Sequence, residues 1–192
     1  MIQKLPDFSL CFLTFAFLLT VAVTMGVISP QSLMLDWNQV INHYEVHRII
    51  TSFIFFGPLS LKWLMFVIGN AGYLVGFERG MGGRTREFYA CIIYVVIMSL
   101  VVSFFIPLKL LSMLFFGATT CLWALQNPNV IINVMMFLPV KAQFYPVVNI
   151  VIALISGDSI VIPVIAMGIG FSCHILLSKG VFAKITRTKL VQ

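Results

Sequence analysis

Two residues in this chain are of the types that a covalent hydrolase brings together. Thr119, within "FFGATTCLW", carries a hydroxyl, and His174, within "GFSCHILL", carries an imidazole. A hydroxyl becomes a working nucleophile when a base within hydrogen-bonding reach takes its proton. Threonine nucleophiles are mostly activated by their own N-terminal amine, an arrangement closed to residue 119. The reading adopted is therefore a Thr119 hydroxyl bonded to its own helix backbone and a His174 near the end of its apolar run.

A second stretch with chemical potential is "GFERGMGGRTREF", Gly76 to Phe88, which mixes four glycines with five charged residues. A phosphate-cradling loop needs its glycines between a strand and a helix whose N-terminus faces the anion. Here they join two apolar runs, with no preceding strand and no following Gly-Lys-Ser/Thr. The stretch reads as a short basic connector whose glycines permit a tight turn. The four cysteines, Cys11, Cys91, Cys121 and Cys173, each fall inside an apolar run without a CxxC pair, which leaves buried, inert thiols rather than a metal or disulfide framework. His43 and His47 lie outside the apolar runs, and no carboxylate pair lies within them. No metal, cofactor or acid–base constellation is indicated.

The elements that must position these residues are set by the composition. Hydrophobic residues make up 60% of the 192 and charged residues 9%, with a mean hydropathy of +1.06. A soluble domain carries about 25% charged residues, so lipid must be the solvent for most of this chain. The net charge of +6 is spread out, and without a basic run or an aromatic-interleaved patch nucleic-acid binding is not expected.

The pattern predicts an all-α polytopic membrane protein with six spans. Phe8–Ile28 is an uncleaved first span, too long in its core for a signal peptide. Gln31–Ser52 repeats Leu33, Trp37, Val40, Ile41 and Tyr44 at helical spacing, opposite Asp36, Asn38, Gln39, Asn42 and Glu45, and predicts one amphipathic helix lying in the interface. Phe53–Val75 is the second span, with Lys62 snorkelling near one end. Phe88–Ile106 and Leu110–Leu125 follow. Val130–Pro146 carries Asn133, Pro139, Lys141, Gln143 and Pro146, which argue against a continuous helix. Val147–Ile155 is a short fifth span, and Ser159–Leu177 the sixth. At sixteen and about ten residues, the fourth and fifth runs reach roughly 24 Å and 15 Å, against a hydrocarbon core of about 30 Å. Helices this short either sit inside the protein or thin the bilayer. Nine of the twelve basic residues fall on the side shared by both termini and the Gly76–Phe88 connector, which the positive-inside rule assigns to the cytosol.

Six spans with an amphipathic first loop resemble the intramembrane rhomboid proteases, which place a serine in a Gly-x-Ser-Gly turn of the fourth span and a histidine on the sixth. Thr119 stands in the serine's relative place, and Thr120 replaces the second glycine. Several stretches taken together resemble one family, the derlins. "HRIITSFIFFGPLS" matches at Arg48, Gly57 and Pro58, with His47 in place of the family tryptophan. "FERGMGGRTREF" matches at Glu78, Gly80, Gly83, Arg84, Thr85 and Phe88. "WALQNPNV" matches at Trp123, Asn127 and Pro128, and "GDSIV" at Gly157, Ser159 and Ile160. The last span matches at Gly168 and Ile169, where the family histidine falls on Cys173 rather than His174.

The resemblance covers about Leu5 to Phe182 and implies a rhomboid-like membrane domain over 1–182, followed by a short basic cytosolic tail, 183–192. It further implies a non-catalytic pseudoprotease of the endoplasmic reticulum membrane that assists retrotranslocation of misfolded proteins for degradation. Its implied partners are misfolded clients, a membrane ubiquitin-ligase complex, the lipid bilayer and homo- or hetero-oligomeric neighbours. A cytosolic AAA unfolding ATPase would act indirectly, since the sequence given stops at "AKITRTKLVQ" without the family's ATPase-recruiting motif. No catalytic residue, metal or cofactor is implied. Asn70, Asn149 and Gln143 could line a wet half-channel or serve as helix–helix hydrogen bonds worth about 1 kcal/mol or less. An active rhomboid-type protease and a small channel or transporter are the alternatives, the latter without the paired intramembrane charges or inverted repeats it would call for.

Overall fold

The computed structural model describes residues 6–134 and 138–183. Lys4 and the 184–192 part of the basic tail lie outside the described residues, as does the side chain of Lys62. The first apolar run forms α1 (Asp7–Thr24), which buries Ser9, Ala16, Thr20 and Val23 and leaves Phe15, Phe17 and Leu18 exposed. Small residues on the packed face let its backbone approach its neighbours, and the large ones meet lipid, as helix packing in membranes requires.

The amphipathic first loop departs from the expected single helix. It consists of α2 (Pro30–Leu33), α3 (Trp37–Asn42) and α4 (His47–Ile54). Side chains cap two of the breaks: Ser29 accepts from Ser32 N ahead of α2, and Asp36 accepts from Asn38 N ahead of α3. Between α3 and α4, Tyr44 adopts a left-handed φ of 58°. The expected apolar stripe is accordingly split, with Leu33 buried and Ile41 and Tyr44 exposed.

The second membrane helix, α5 (Leu61–Gly80), starts and ends later than the apolar run suggested, because Gly57 (φ 99°) and Pro58 turn the chain before the Ser60 cap. The supposed Gly76–Phe88 connector is therefore mostly helical. Gly76–Gly80 closes α5, residues 81–84 make the turn with Gly83 at φ 82°, and Thr85 opens α6 (Thr85–Phe105).

The shortest spans separate into two cases. The fifteen-residue α7 (Ser112–Gln126) is the centre of the bundle, touched by α4, α5, α6, α8 (Tyr145–Ile155) and α9 (Val161–Ser178), and ten of its residues are buried. It needs no match to the bilayer because protein surrounds it. Between α7 and α8 the chain forms an antiparallel hairpin, β1 (Ile131–Val134) with β2 (Leu138–Lys141), pairing Asn133 with Pro139. Its ladder satisfies backbone groups that would be costly to leave unpaired in an apolar surrounding. The eleven-residue α8, by contrast, is peripheral, with Val147, Val151, Leu154 and Ile155 exposed.

The tightest packing joins α7 and α9. A Cβ on Gly117 would lie 2.8 Å from the Ala166 Cβ, and one on Gly170 would lie 2.7 Å from the Ala118 carbonyl oxygen and 2.8 Å from the Cys121 Cβ.

Candidate functional site

The Thr119 hydroxyl donates to the Phe115 and Phe116 carbonyls, at 2.9 and 3.1 Å. This is the self-capping expected of a threonine inside a helix. Among the described residues no hydrogen bond joins it to His174, whose Nδ1 is buried without a partner in a separate cleft where α9 ends. The structure does not assemble the nucleophile–base pair.

What it assembles instead is a groove of about 640 Å³ between α5 on one side and the β-hairpin, α8 and α9 on the other, with α7 as its floor. Its walls are mainly apolar, and its polar groups include Asn70, Asn133, Asn149, Asp158 and Ser159. Two of the three polar residues singled out in the sequence thus share one surface. Gln143 is exposed elsewhere, its N–H reaching the Pro128 carbonyl at 3.4 Å. Asn70 also serves packing: its Nδ2 donates to the Phe66 carbonyl at 2.8 Å, and its Oδ1 accepts from the Thr120 hydroxyl at 3.2 Å. Sequence reasoning missed Asn133, Asp158 and the aromatic pair Tyr73–Tyr145, whose ring centroids lie 5.7 Å apart at the groove wall. Nothing local in the chain announces that the hairpin and the α8–α9 turn face α5.

Of the motif residues, Ser159 lines this groove, and the others sit outside its lining, mostly in turns and at joints between helices. Arg48 ties the first loop together: its Nη1 donates to the Gln31 carbonyl at 2.5 Å and the Met34 carbonyl at 3.1 Å, while Nε pairs with the Glu45 carboxylate. The loop is then fastened to the end of the bundle. Leu35 N–H donates to the Lys109 carbonyl at 2.9 Å, the Ser112 hydroxyl to the Phe55 carbonyl at 2.7 Å, and Trp37 Nε1 to the Ser103 carbonyl at 3.0 Å. At the opposite end, the Glu78 carboxylate accepts from Phe8 N, Ser9 N and the Ser9 hydroxyl. Phe88 is buried against Phe8 and Phe77. Trp123 packs on Tyr73 with the rings tilted by 36°, its Nε1 2.8 Å from where a Gly76 Cβ would stand. Asn127 closes α7 through Nδ2 to the Trp123 carbonyl, and Pro128 follows it. Gly157, at φ 70°, makes the α8–α9 turn, in which the Ser159 hydroxyl accepts from Val161 N. Thr85 is exposed at the first position of α6, and Gly80 and Arg84 border the His174 cleft. A Cβ on Gly168 would meet open space.

Helices α1, α6 and α9 are each long and apolar enough to cross a membrane. Packed around a buried central helix with a lateral groove, they define a polytopic helical membrane protein. The chain belongs to the Der1-like family, whose model matches residues 5–186. It is 31% identical to Derlin-1.2 of Zea mays and 29% identical to Derlin-1.1 of Zea mays, each over 176 residues covering 88% of this chain and 70% of the relative. With Derlin-1 of Arabidopsis thaliana it shares 26% over 163 residues, or 82% of this chain and 60% of that protein. Membership supports a Der1-like role in endoplasmic-reticulum-associated degradation.

Proposed function

We propose that this protein assists the retrotranslocation of misfolded proteins out of the endoplasmic reticulum, as a non-catalytic rhomboid-like component of a membrane ubiquitin-ligase complex, with both termini cytosolic. A cytosolic AAA ATPase supplies the pulling force through other members of that complex. The observation that carries this reading is the groove, an apolar channel wall with a row of amide and carboxyl groups, bordered by the peripheral helix α8. A polypeptide crossing a hydrocarbon core exposes backbone groups whose desolvation costs several kcal/mol each. Asn133, Asn149 and Ser159 offer substitute partners along the path. The exposed face of an eleven-residue helix, roughly 16 Å long, favours a locally thinner bilayer at the groove mouth.

Site-specific crosslinking tests the reading. A photoreactive residue at Asn149 should trap a stalled misfolded client in native membranes, while one at Phe171, exposed on α9 away from the groove lining, should not. Equal trapping at both positions, or none at Asn149, contradicts it. The non-catalytic assignment rests on the Thr119 hydroxyl being committed to its own helix and on His174 lying elsewhere.

A further inference from the structure

A second cleft, of about 590 Å³, lies where three helices end together. Gly80 is the last residue of α5, Gln126 of α7 and Ser178 of α9, and all three line it. The last carbonyls of a helix lack partners within it, and helix dipoles place partial negative charge there. The Met81, Gly82, Asn127, Lys179 and Gly180 amides occupy some of these carbonyls, and the remaining partial negative charge of three helix ends bordering one space favours a cationic hydrogen-bond donor. The same cleft nevertheless carries donors suited to an anion. Arg84 reaches it from the α5–α6 turn with a side chain 57% exposed and a glutamate, Glu87, 3.7 Å away. Gln126 Nε2 and His174 Nδ1 are both buried there without a hydrogen-bond partner among the described residues. Leu125 and Leu177 add apolar surface beside them.

A ligand carrying a primary ammonium and a phosphate a few bonds apart satisfies both sets. We propose that this cleft binds the headgroup of an aminophospholipid, with the ammonium at the helix C-termini and the phosphate against Arg84 and Gln126. Phosphatidylethanolamine has both groups. Phosphatidylcholine keeps the phosphate, but its methylated nitrogen cannot donate hydrogen bonds to carbonyls, and phosphatidylglycerol has no cation. The cleft is open to the surface on the face where these helices terminate, so a headgroup can enter it while its acyl chains stay beside the bundle. This gives the α5–α6 turn a ligand-binding role in addition to the purely connecting one read from its sequence.

The test uses the full chain, purified and delipidated in mild detergent, then offered an equimolar mixture of the three lipids with identical acyl chains and analysed by native mass spectrometry. Retention of phosphatidylethanolamine should exceed that of each other lipid about tenfold, the effect of losing one charge-assisted contact. Arg84→Gln and Gln126→Leu should each lower retention of phosphatidylethanolamine several-fold by removing a phosphate contact, while Arg86→Gln on the same turn leaves it unchanged. Should Arg84→Gln fail to fold, Gln126→Leu alone decides. Equal retention of phosphatidylcholine, preference for phosphatidylglycerol, or unchanged retention of phosphatidylethanolamine by a folded Gln126→Leu protein overturns the proposal. Soluble phosphoethanolamine and inorganic phosphate are added as competitors. Displacement of the lipid by either at equal concentration would assign the site to a soluble phosphate and overturn the lipid assignment.

Discussion

The Glu78 carboxylate, in the last turn of α5, caps the N-terminus of α1 sixty-nine residues away, accepting from Ser9 N at 2.8 Å and the Ser9 hydroxyl at 2.6 Å. Pro6, which precedes α1, supplies no side-chain cap of its own. The first amide groups of a helix are unpaired donors at the positive end of its dipole, and a carboxylate borrowed from a neighbouring helix satisfies both. The family-motif glutamate is thus a joint between the first two membrane helices.

Glu78→Ala should lower thermal stability in detergent by about 1–2 kcal/mol, the usual range for losing a cap. Glu78→Lys should lower it further, since it sets a positive charge against the positive end of α1. A Glu78→Lys protein that melts with the parent would show the cap to be idle.

Arg48 joins Gln31, Met34 and Glu45 through a planar fork, a geometry that lysine cannot reproduce. Arg48→Lys should leave the bundle folded and make residues 31–48 several-fold more susceptible to limited proteolysis. Unchanged cleavage kinetics would mean that α2–α4 are held by their other anchors alone.

Gly170 and Gly168 separate packing from motif. Gly170→Leu would drive a side chain into the Ala118 carbonyl and should cost about 1–3 kcal/mol or more, seen as loss of folded protein on size-exclusion chromatography. Gly168→Ala meets open space and should be neutral or stabilising by up to about 1 kcal/mol through helix propensity. The reverse ranking would contradict the α7–α9 packing.

Replacing both Thr119 and His174 by alanine should leave the half-life of a misfolded membrane reporter unchanged. Thr119 is buried, so the variant's abundance should be confirmed alongside. Stabilised reporter at normal abundance, or labelling of Thr119 by a hydrolase-directed probe, would point to catalysis.

The apolar runs located the membrane helices because lipid-facing surface is a property of the local sequence. Joints between helices are not. Glu78 and Arg79 suggested a solvated connector, yet Glu78 stays helical because its partner lies on α1, and no local pattern carries that contact. The first loop showed helical spacing throughout, but Leu35 N–H is spent on the Lys109 carbonyl, which helps split the stripe between α2 and α3. Asn133 and Pro139 signalled the break after α7 without revealing that they face each other in a hairpin. For the α7–α9 interface a signal was present: Ala166 and Gly170 have the small-x-x-x-small spacing of close helix contacts, whereas the motif glycine Gly168 is exposed and a Cβ there would meet open space. The length of the fourth run suggested bilayer mismatch, but α7 is packed by α4, α5, α6, α8 and α9, which confines the proposed thinning to α8.

The measurement that bears most directly on the central claim is therefore made on α8. Inserting four leucines after Val151 lengthens this peripheral helix by about one turn, roughly 6 Å, and brings it closer to the thickness of the bilayer. With the lengthened helix confirmed in place by cysteine accessibility on both sides, the half-life of a misfolded client is measured by pulse–chase. If a short α8 at the groove mouth lowers the barrier to crossing, the client should persist markedly longer than with the parent protein. A client half-life equal to that of the parent would contradict bilayer thinning at α8 and leave the polar groove wall to act alone.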